Sequence, residues 1–144
     1  MTDIVGFMAT PFTADDTVDH DRLRVLAASI ASRGVHPAVL GGMGEFYALD
    51  LDEATACMSA AVEGAAGATP VVAGIGHDTR TAVRLASAAA RTGVGLIVAN
   101  PLYYAVPSAR GYAEHIRAIA GESGLPVIIY SHGGYLQLCP GGAG

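Results

Sequence analysis

Short apolar runs and longer amphipathic segments alternate along this 144-residue chain. Each apolar run is only a few residues long, which is typical of a strand buried on both faces. In the segments between them, apolar residues recur every three or four positions, the period of a helix with one buried face. The repeat of about 30 residues matches a strand–helix unit of a parallel sheet. The predicted strands are Ile4–Ala9, Ala38–Leu40, Val71–Ala73, Leu96–Ala99 and Val127–Ile129.

Local signals predict where four helices begin and end. A side chain able to cap free helix amides precedes each helix. These are Asp19, Asp50 with Glu53, Asp78 or Thr79, and Ser108. Glycines are expected to end the helices, at Gly34, at Gly64 and Gly67, at Gly93 and at Gly124.

The helical period also predicts which side chains face the core. They are Leu23, Leu26, Ala27 and Ile30, then Ala54, Cys57, Met58, Ala61 and Val62, then Val83, Ala86, Ala89 and Ala90, and finally Tyr112, His115, Ile116 and Ile119.

Two parallel α/β architectures fit this order of elements. One is a doubly wound sheet of five strands with helices on both faces; the other is a partial TIM barrel, (β/α)4 plus a fifth strand, with helices on one side. Length favours the first, because a complete (β/α)8 barrel needs about 250 residues. In either case residues 1–130 form the folded part, and residues 131–144 are predicted to be an irregular, glycine-rich tail.

The loops on the two sides of the strands differ in chemistry. Those before the strands are short, whereas those after them contain Gly, Thr, Glu, Asn, Tyr and His. The loop Gly41-Gly42-Met43-Gly44-Glu45 has three glycines within four residues. Glycines let the backbone approach a ligand and direct N–H groups toward an anion. Because active sites of such folds lie at the carboxyl ends of the strands, the site is expected there.

Composition narrows the possible partners. Hydrophobic residues make up 51% of the chain, charged residues 15%, and the net charge is −5. An acidic chain with so few charges is not expected to bind nucleic acid or an anionic membrane. The apolar runs are too short to span a bilayer, and the acidic start has no signal-peptide pattern, so we expect a cytoplasmic protein. The two cysteines and scattered histidines give no disulfide framework and no metal site.

Five segments resemble, in order, the dihydrodipicolinate synthase/N-acetylneuraminate lyase family of Schiff-base-forming TIM barrels. They are Thr10-Pro11-Phe12 with Val18-Asp19, the loop from Gly41 to Glu45, the strand Pro70 to Gly76, the turn Pro101-Leu102-Tyr103-Tyr104, and the strand Pro126 to Tyr130. The form Gly-Gly-x-Gly-Glu-Phe is closest to the 5-dehydro-4-deoxyglucarate dehydratase branch. The resemblance favours the barrel over the doubly wound sheet.

This resemblance implies a lyase or dehydratase that forms an imine between a lysine and a small keto acid, without a further cofactor. It makes Tyr130 the proton shuttle and Tyr104 a second catalytic residue that reaches a neighbouring subunit's site in a homo-oligomer. It assigns Gly42, Met43, Gly44 and Thr10 to substrate binding.

The chain also departs from the family pattern. The two signature threonines are replaced by Gly42 and Met43, and Ser131-His132 stands where the family usually has Asn. All eight basic residues are arginine, so no lysine is present, and the family's lysine belongs to a sixth strand. Arginine cannot substitute for it, because a guanidinium stays protonated. We therefore expect a truncated, N-terminal half of a barrel that is inactive by itself.

Simpler interpretations remain open at the level of sequence. Without the resemblance, Tyr130 is more typical of an aromatic residue that closes a core. The Gly41–Glu45 loop is equally typical of a plain tight turn. Glu45, His77 and His132 fit solvated positions. Gly74-Ile75-Gly76 lacks the third glycine and the distant acid of a dinucleotide site. A non-catalytic binding module and a self-associating remnant with unpaired sheet edges are the alternative functions.

Overall fold

The structure, a computed structural model, describes residues 4–102 and 107–130. Strands and helices alternate throughout these ranges. The strands are β1 (Val5–Phe7), β2 (His36–Leu40), β3 (Val72–Ile75), β4 (Leu96–Ala99) and β5 (Val127–Ile129). The helices are α1 (His20–Ala31), α2 (Leu51–Ala65), α3 (Thr79–Thr92) and α4 (Ala109–Ser123), and a single 3₁₀ turn covers Phe46–Ala48. The predicted tail, residues 131–144, lies outside the described residues.

The five strands form one parallel sheet in sequential order, β1-β2-β3-β4-β5. Consecutive helices contact each other, α1 with α2, α2 with α3 and α3 with α4. Residues from all four helices join a single core cluster with the strands, so the helices cover the same face of the sheet. A doubly wound sheet would reverse its strand order and place helices on both faces. The partial barrel is therefore correct, and the doubly wound alternative is wrong.

The predicted helix starts are confirmed. Asp19 accepts a hydrogen bond from the Arg22 amide, and Ser108 accepts one from the Gly111 amide. Asp50 and Glu53 form a complete capping box at the start of α2. Asp78, rather than Thr79, caps α3. These signals could be read from sequence because each cap satisfies amides only two or three residues away.

Gly64 does not end α2, contrary to the prediction. The helix continues to Ala65 and ends at Ala66, which has a positive φ. A methyl group at Gly64 would lie only 2.3 Å from the carbonyl oxygen of Arg24 in α1. The glycine is needed here for the close packing of α1 on α2, and Gly67 follows the helix as predicted.

Several burial and boundary predictions are also wrong. Leu26 of α1 and Ala90 of α3 are exposed instead of facing the core, with 37% of the Leu26 surface accessible. The core-facing side of α3 contains Ala82, Leu85 and Ala88 in addition to Ala86 and Ala89. Strand β1 is shorter than expected, and β3 extends through Gly74 to Ile75. Helix period alone does not distinguish these positions, because the neighbours that cover a residue come from elsewhere in the chain.

The sheet has a second apolar face, which points away from the helices. Ala38, Val72 and Val98 form a small buried cluster there with Val5 and Leu96 packed against it. The strand register aligns Leu40, Gly74, Val98 and Ile128 in one row across the sheet. In a barrel this second face is the inner wall, so residues two positions beyond this row lie at the mouth.

Candidate active site at the carboxyl ends of the strands

The Gly41–Glu45 loop has a backbone conformation that few residues adopt easily. Leu40, Gly41 and Glu45 have φ angles of 61°, 66° and 53°. The positive φ at Leu40 ends β2 and lets its side chain join the core on the helix side. A left-handed non-glycine residue costs about 1 kcal/mol or more, and such strain clusters at functional sites.

Hydrogen bonds hold this loop closed. The Gly44 amide donates to the Leu40 carbonyl (3.1 Å), the Glu45 amide to Gly42 (3.3 Å) and the Phe46 amide to Gly41 (3.2 Å). The Gly41 amide donates to the Gly74 carbonyl at the end of β3 (3.2 Å), which attaches the loop to the neighbouring strand.

Two adjacent amides of the loop are left over. Within residues 4–102 and 107–130, neither Gly42 N–H nor Met43 N–H donates a hydrogen bond, and both residues are exposed. Successive backbone N–H groups in a tight turn form a concavity that binds anions. The arrangement can bind a carboxylate through the main chain alone, without the threonine hydroxyls that Gly42 and Met43 lack.

Thr10 reaches this loop from the segment after β1. Its hydroxyl donates to the Gly44 carbonyl at 2.7 Å, a contact between residues 34 positions apart. The structure therefore brings two predicted substrate-binding residues, Thr10 and Gly44, directly together. Through this hydrogen bond Thr10 stabilises the turn that carries the Gly42 and Met43 amides.

The other predicted residues are more scattered. The Met43 side chain is 66% exposed, and Tyr130 is 45% exposed immediately after β5, where its amide donates to the Ala99 carbonyl (2.9 Å). Met43 follows β2 and Tyr130 follows β5, three strand positions apart, or about 14 Å along the sheet. Both lie at the same edge of the sheet, but they are not neighbours. Tyr104 and His132 lie outside the described residues.

Phe46 and His77 form a wall behind the loop. Their rings meet edge-to-face with centroids 5.0 Å apart. Burial lowers the pKa of His77 below its ordinary value of 6.5, opposed by the charge of Asp78 and a hydrogen bond to the Phe46 backbone. His77 is thus half-buried and favoured as the neutral imidazole, rather than solvated as one interpretation of the sequence held.

The free cysteine in the described part of the chain does not contribute a nucleophile. Cys57 is fully buried in α2, and burial together with the Glu53 charge raises its thiol pKa to about 11. A thiol with so high a pKa is almost entirely protonated at neutral pH, and only the thiolate is reactive.

Asn100, directly after β4, is a mouth residue that the sequence interpretation did not assign to the site. A methyl group at Gly74 would lie 3.2 Å from its side-chain nitrogen, and one at Gly41 would lie 3.8 Å from it. The signal was available in the alternation of β4, because Leu96 and Val98 face the inner wall and Asn100 continues that series. That its side chain lies where Gly41, after β2, and Gly74, in β3, leave space could not be foreseen.

Comparison with known proteins identifies the family. The model of the dihydrodipicolinate synthetase family matches residues 1–135. The chain belongs to this family.

Relatives in the dihydrodipicolinate synthetase family include enzymes of two named activities. The chain is 37% identical over 129 residues to a probable 5-dehydro-4-deoxyglucarate dehydratase of Streptomyces coelicolor, with 86% of this chain and 40% of the relative covered. It is 37% identical over 127 residues to a 4-hydroxy-tetrahydrodipicolinate synthase of Salinibacter ruber, with 86% and 42% covered. The chain thus spans well under half the length of these relatives.

Solved structures of the family have the same fold. Dihydrodipicolinate synthase from Aquifex aeolicus superposes with a TM-score of 0.85 at 31% identity, covering 94% of this chain and 46% of that one. An E. coli prophage protein of the family, solved in complex with pyruvate, gives a TM-score of 0.86 at 28% identity, with 94% and 46% covered. Both matches cover 94% of this chain and less than half of the barrel chain, so the family assignment and the half-barrel architecture agree.

Proposed function

We propose that this chain forms the keto-acid-binding part of a Schiff-base lyase or dehydratase. The observation that supports this most is the pair of exposed amides of Gly42 and Met43 at the carboxyl ends of the strands, which donate no hydrogen bond to any described residue. A keto acid has a carboxylate that such amides can bind, next to a carbonyl carbon that an amine can attack. The E. coli relative solved with pyruvate supports a ligand of this class.

Tyr130 is the proposed proton shuttle. A general acid–base group must come within hydrogen-bond reach of the reacting oxygen, so it has to be accessible at the mouth. Tyr130 meets this requirement, with 45% of its surface exposed at the end of β5. Tyr104 remains a proposed second member of the site on the family resemblance alone.

The amine of the proposed reaction lies outside these residues. The sequence contains no lysine, and its basic residues are all arginine. We therefore infer that the 144-residue chain binds a keto acid but does not form the imine by itself.

Titration with pyruvate tests the binding step. We expect the backbone amide resonances of Gly42 and Met43 to shift saturably, while those of Gly34 and Gly67, at the opposite edge of the sheet, stay in place. After reduction with borohydride in the presence of pyruvate, we expect no adduct on any peptide other than the N-terminal one, whose α-amine reacts with keto acids in general. Site amides that do not move with pyruvate would contradict the proposal, and a covalent adduct on a side chain would contradict the inference about the amine.

We also propose that the chain self-associates. Strands β1 and β5 are the outer strands of the described sheet. Ile4 is 58% exposed beside β1, and Ile128 and Ile129 of β5 are 50% and 49% exposed. No described residue pairs with the outer edge of β1 or β5, and such edges with apolar side chains favour pairing with another chain.

Sedimentation velocity at increasing protein concentration is expected to show the average mass of the chain rising above that of the monomer. Replacing Ile129 by lysine puts a positive charge on the outer strand β5 and should shift the distribution of sedimenting species back toward the monomer. A wild-type chain that sediments as a monomer at every concentration would contradict this proposal.

A further inference from the structure

Asn100 has a defined place at the mouth of the half-barrel. Ile97 and Ala99 of β4 belong to the core on the helix side, whereas Leu96 and Val98 belong to the inner face. The alternation puts the Asn100 side chain on the inner face, one row beyond Val98. Val98 pairs with Ile128, so the continued register places Asn100 beside Tyr130.

Three glycines leave the space that the Asn100 side chain occupies: Gly41 in the loop after β2, Gly74 in β3, and Gly76 directly after β3. A methyl group at Gly74 would lie 3.2 Å from Asn100 Nδ2, and one at Gly41 would lie 3.8 Å from the same atom. A methyl group at Gly76 would lie 2.8 Å from Asn100 Cβ. The amide therefore lies between the loop that carries the free Gly42 amide and the strand that carries Tyr130.

Among the residues that the structure describes, the hydrogen-bonding capacity of this amide is almost unused. Asn100 Nδ2 donates to the Val98 carbonyl at 3.5 Å, at the outer limit of a hydrogen bond, and within the described residues Oδ1 accepts none. A side-chain amide offers two donor hydrogens and an acceptor oxygen with two lone pairs. A half-buried group with this capacity is suited to a polar ligand.

We propose that Asn100 hydrogen-bonds a hydroxyl group of the substrate and so selects a hydroxylated keto acid, of the sugar-acid class, over pyruvate. This rests on the proposed keto-acid site. A neutral amide complements a hydroxyl, which both donates and accepts, while the substrate carboxylate is bound by the Gly42 and Met43 amides. Pyruvate has no hydroxyl group for Asn100 to contact.

Calorimetric titrations with 5-dehydro-4-deoxyglucarate and with pyruvate test this selection. Asn100→Leu removes the polar group at similar size, and Asn100→Ser keeps a smaller hydrogen-bonding group. Thr69→Val is the matched control, because it removes the hydroxyl that donates to the Val35 carbonyl at the opposite edge of the sheet. Thermal unfolding of each variant reports whether the fold is retained.

We expect wild type to bind the sugar acid about fivefold more tightly than Asn100→Leu does, the usual contribution of one neutral hydrogen bond. The affinity for pyruvate is expected to be the same in wild type and Asn100→Leu. Asn100→Ser should recover part of the lost sugar-acid affinity, and Thr69→Val should bind both ligands like wild type. The proposed role of Asn100 would be overturned if Asn100→Leu and Asn100→Ser lost the same affinity for both ligands, or lost affinity for neither. Either result would leave the proposed keto-acid site unaffected. Failure of wild type to bind either ligand would overturn the proposed function and this inference with it.

Discussion

Replacing Gly44 by alanine is expected to weaken keto-acid binding at least tenfold. The new methyl group would lie 2.5 Å from the Leu40 carbonyl oxygen and 2.8 Å from both the Leu40 Cα and the Leu40 amide nitrogen. These are backbone atoms that cannot rotate away, so the turn has to open. Opening it breaks the Gly44–Leu40 and Thr10–Gly44 hydrogen bonds and displaces the two free amides. A forced rearrangement of this kind costs about 1–3 kcal/mol.

Pyruvate titration followed by the amide resonances of the chain measures this loss. Gly42→Ala is the matched control for stability, because a methyl group there meets nothing within 4 Å and is expected to leave the unfolding temperature unchanged. Gly121→Ala, in the last turn of α4, controls for binding. If Gly44→Ala bound pyruvate as tightly as wild type, the loop would not be the binding site.

A glycine-to-alanine substitution in a helix has two opposite effects on stability: the new methyl group can clash, and alanine favours the helix. Gly64 of α2 and Gly121 of α4 allow these two effects to be measured separately. Gly64→Ala is expected to lower the free energy of unfolding by about 2 kcal/mol, because its methyl group would lie 2.3 Å from the Arg24 carbonyl oxygen and 3.0 Å from Ala27 Cβ. Helices α1 and α2 would have to separate to admit it. This cost exceeds the gain of about 1 kcal/mol that alanine brings to a helix interior.

Gly121→Ala is the matched control, since Gly121 is also helical but has open space around it. Alanine is expected to raise the free energy of unfolding there by about 0.5–1 kcal/mol, through helix propensity alone. Urea unfolding of the two variants beside wild type measures both changes. Two variants of equal stability would show that α1 and α2 do not pack as closely as described.

The order of elements followed from sequence because its signals are local. Asp50 and Glu53 satisfy each other's amides within a single turn. Ser108 accepts a hydrogen bond from the Gly111 amide, only three residues away. The bounds of β4 and β5 matched the prediction residue for residue, since each is a short apolar run bordered by polar, glycine or proline positions. The resemblance, in turn, selected the barrel that the strand order confirms.

The candidate site was predictable only in part. Glycines between Leu40 and Glu45 indicated an anion-binding turn, but not which amides stay free once the turn closes. The resemblance places Thr10 in the substrate site, but only the structure shows that its hydroxyl donates to the Gly44 carbonyl of the loop. The surroundings of Asn100 are not predictable from its own strand, because they include Gly41, in the loop after β2, and Gly74, in β3.

The sequence by itself determined the strand–helix alternation, the helix caps and the edge of the sheet where the polar loops collect. Only the tertiary structure decided that Gly64 lies within a helix while Gly67 follows it, and that Leu26 faces outward. The physical reason is range. Caps and periods depend on neighbours within about one helical turn. Close packing and the environment of a side chain depend on atoms that are distant in sequence, such as the Arg24 carbonyl above Gly64.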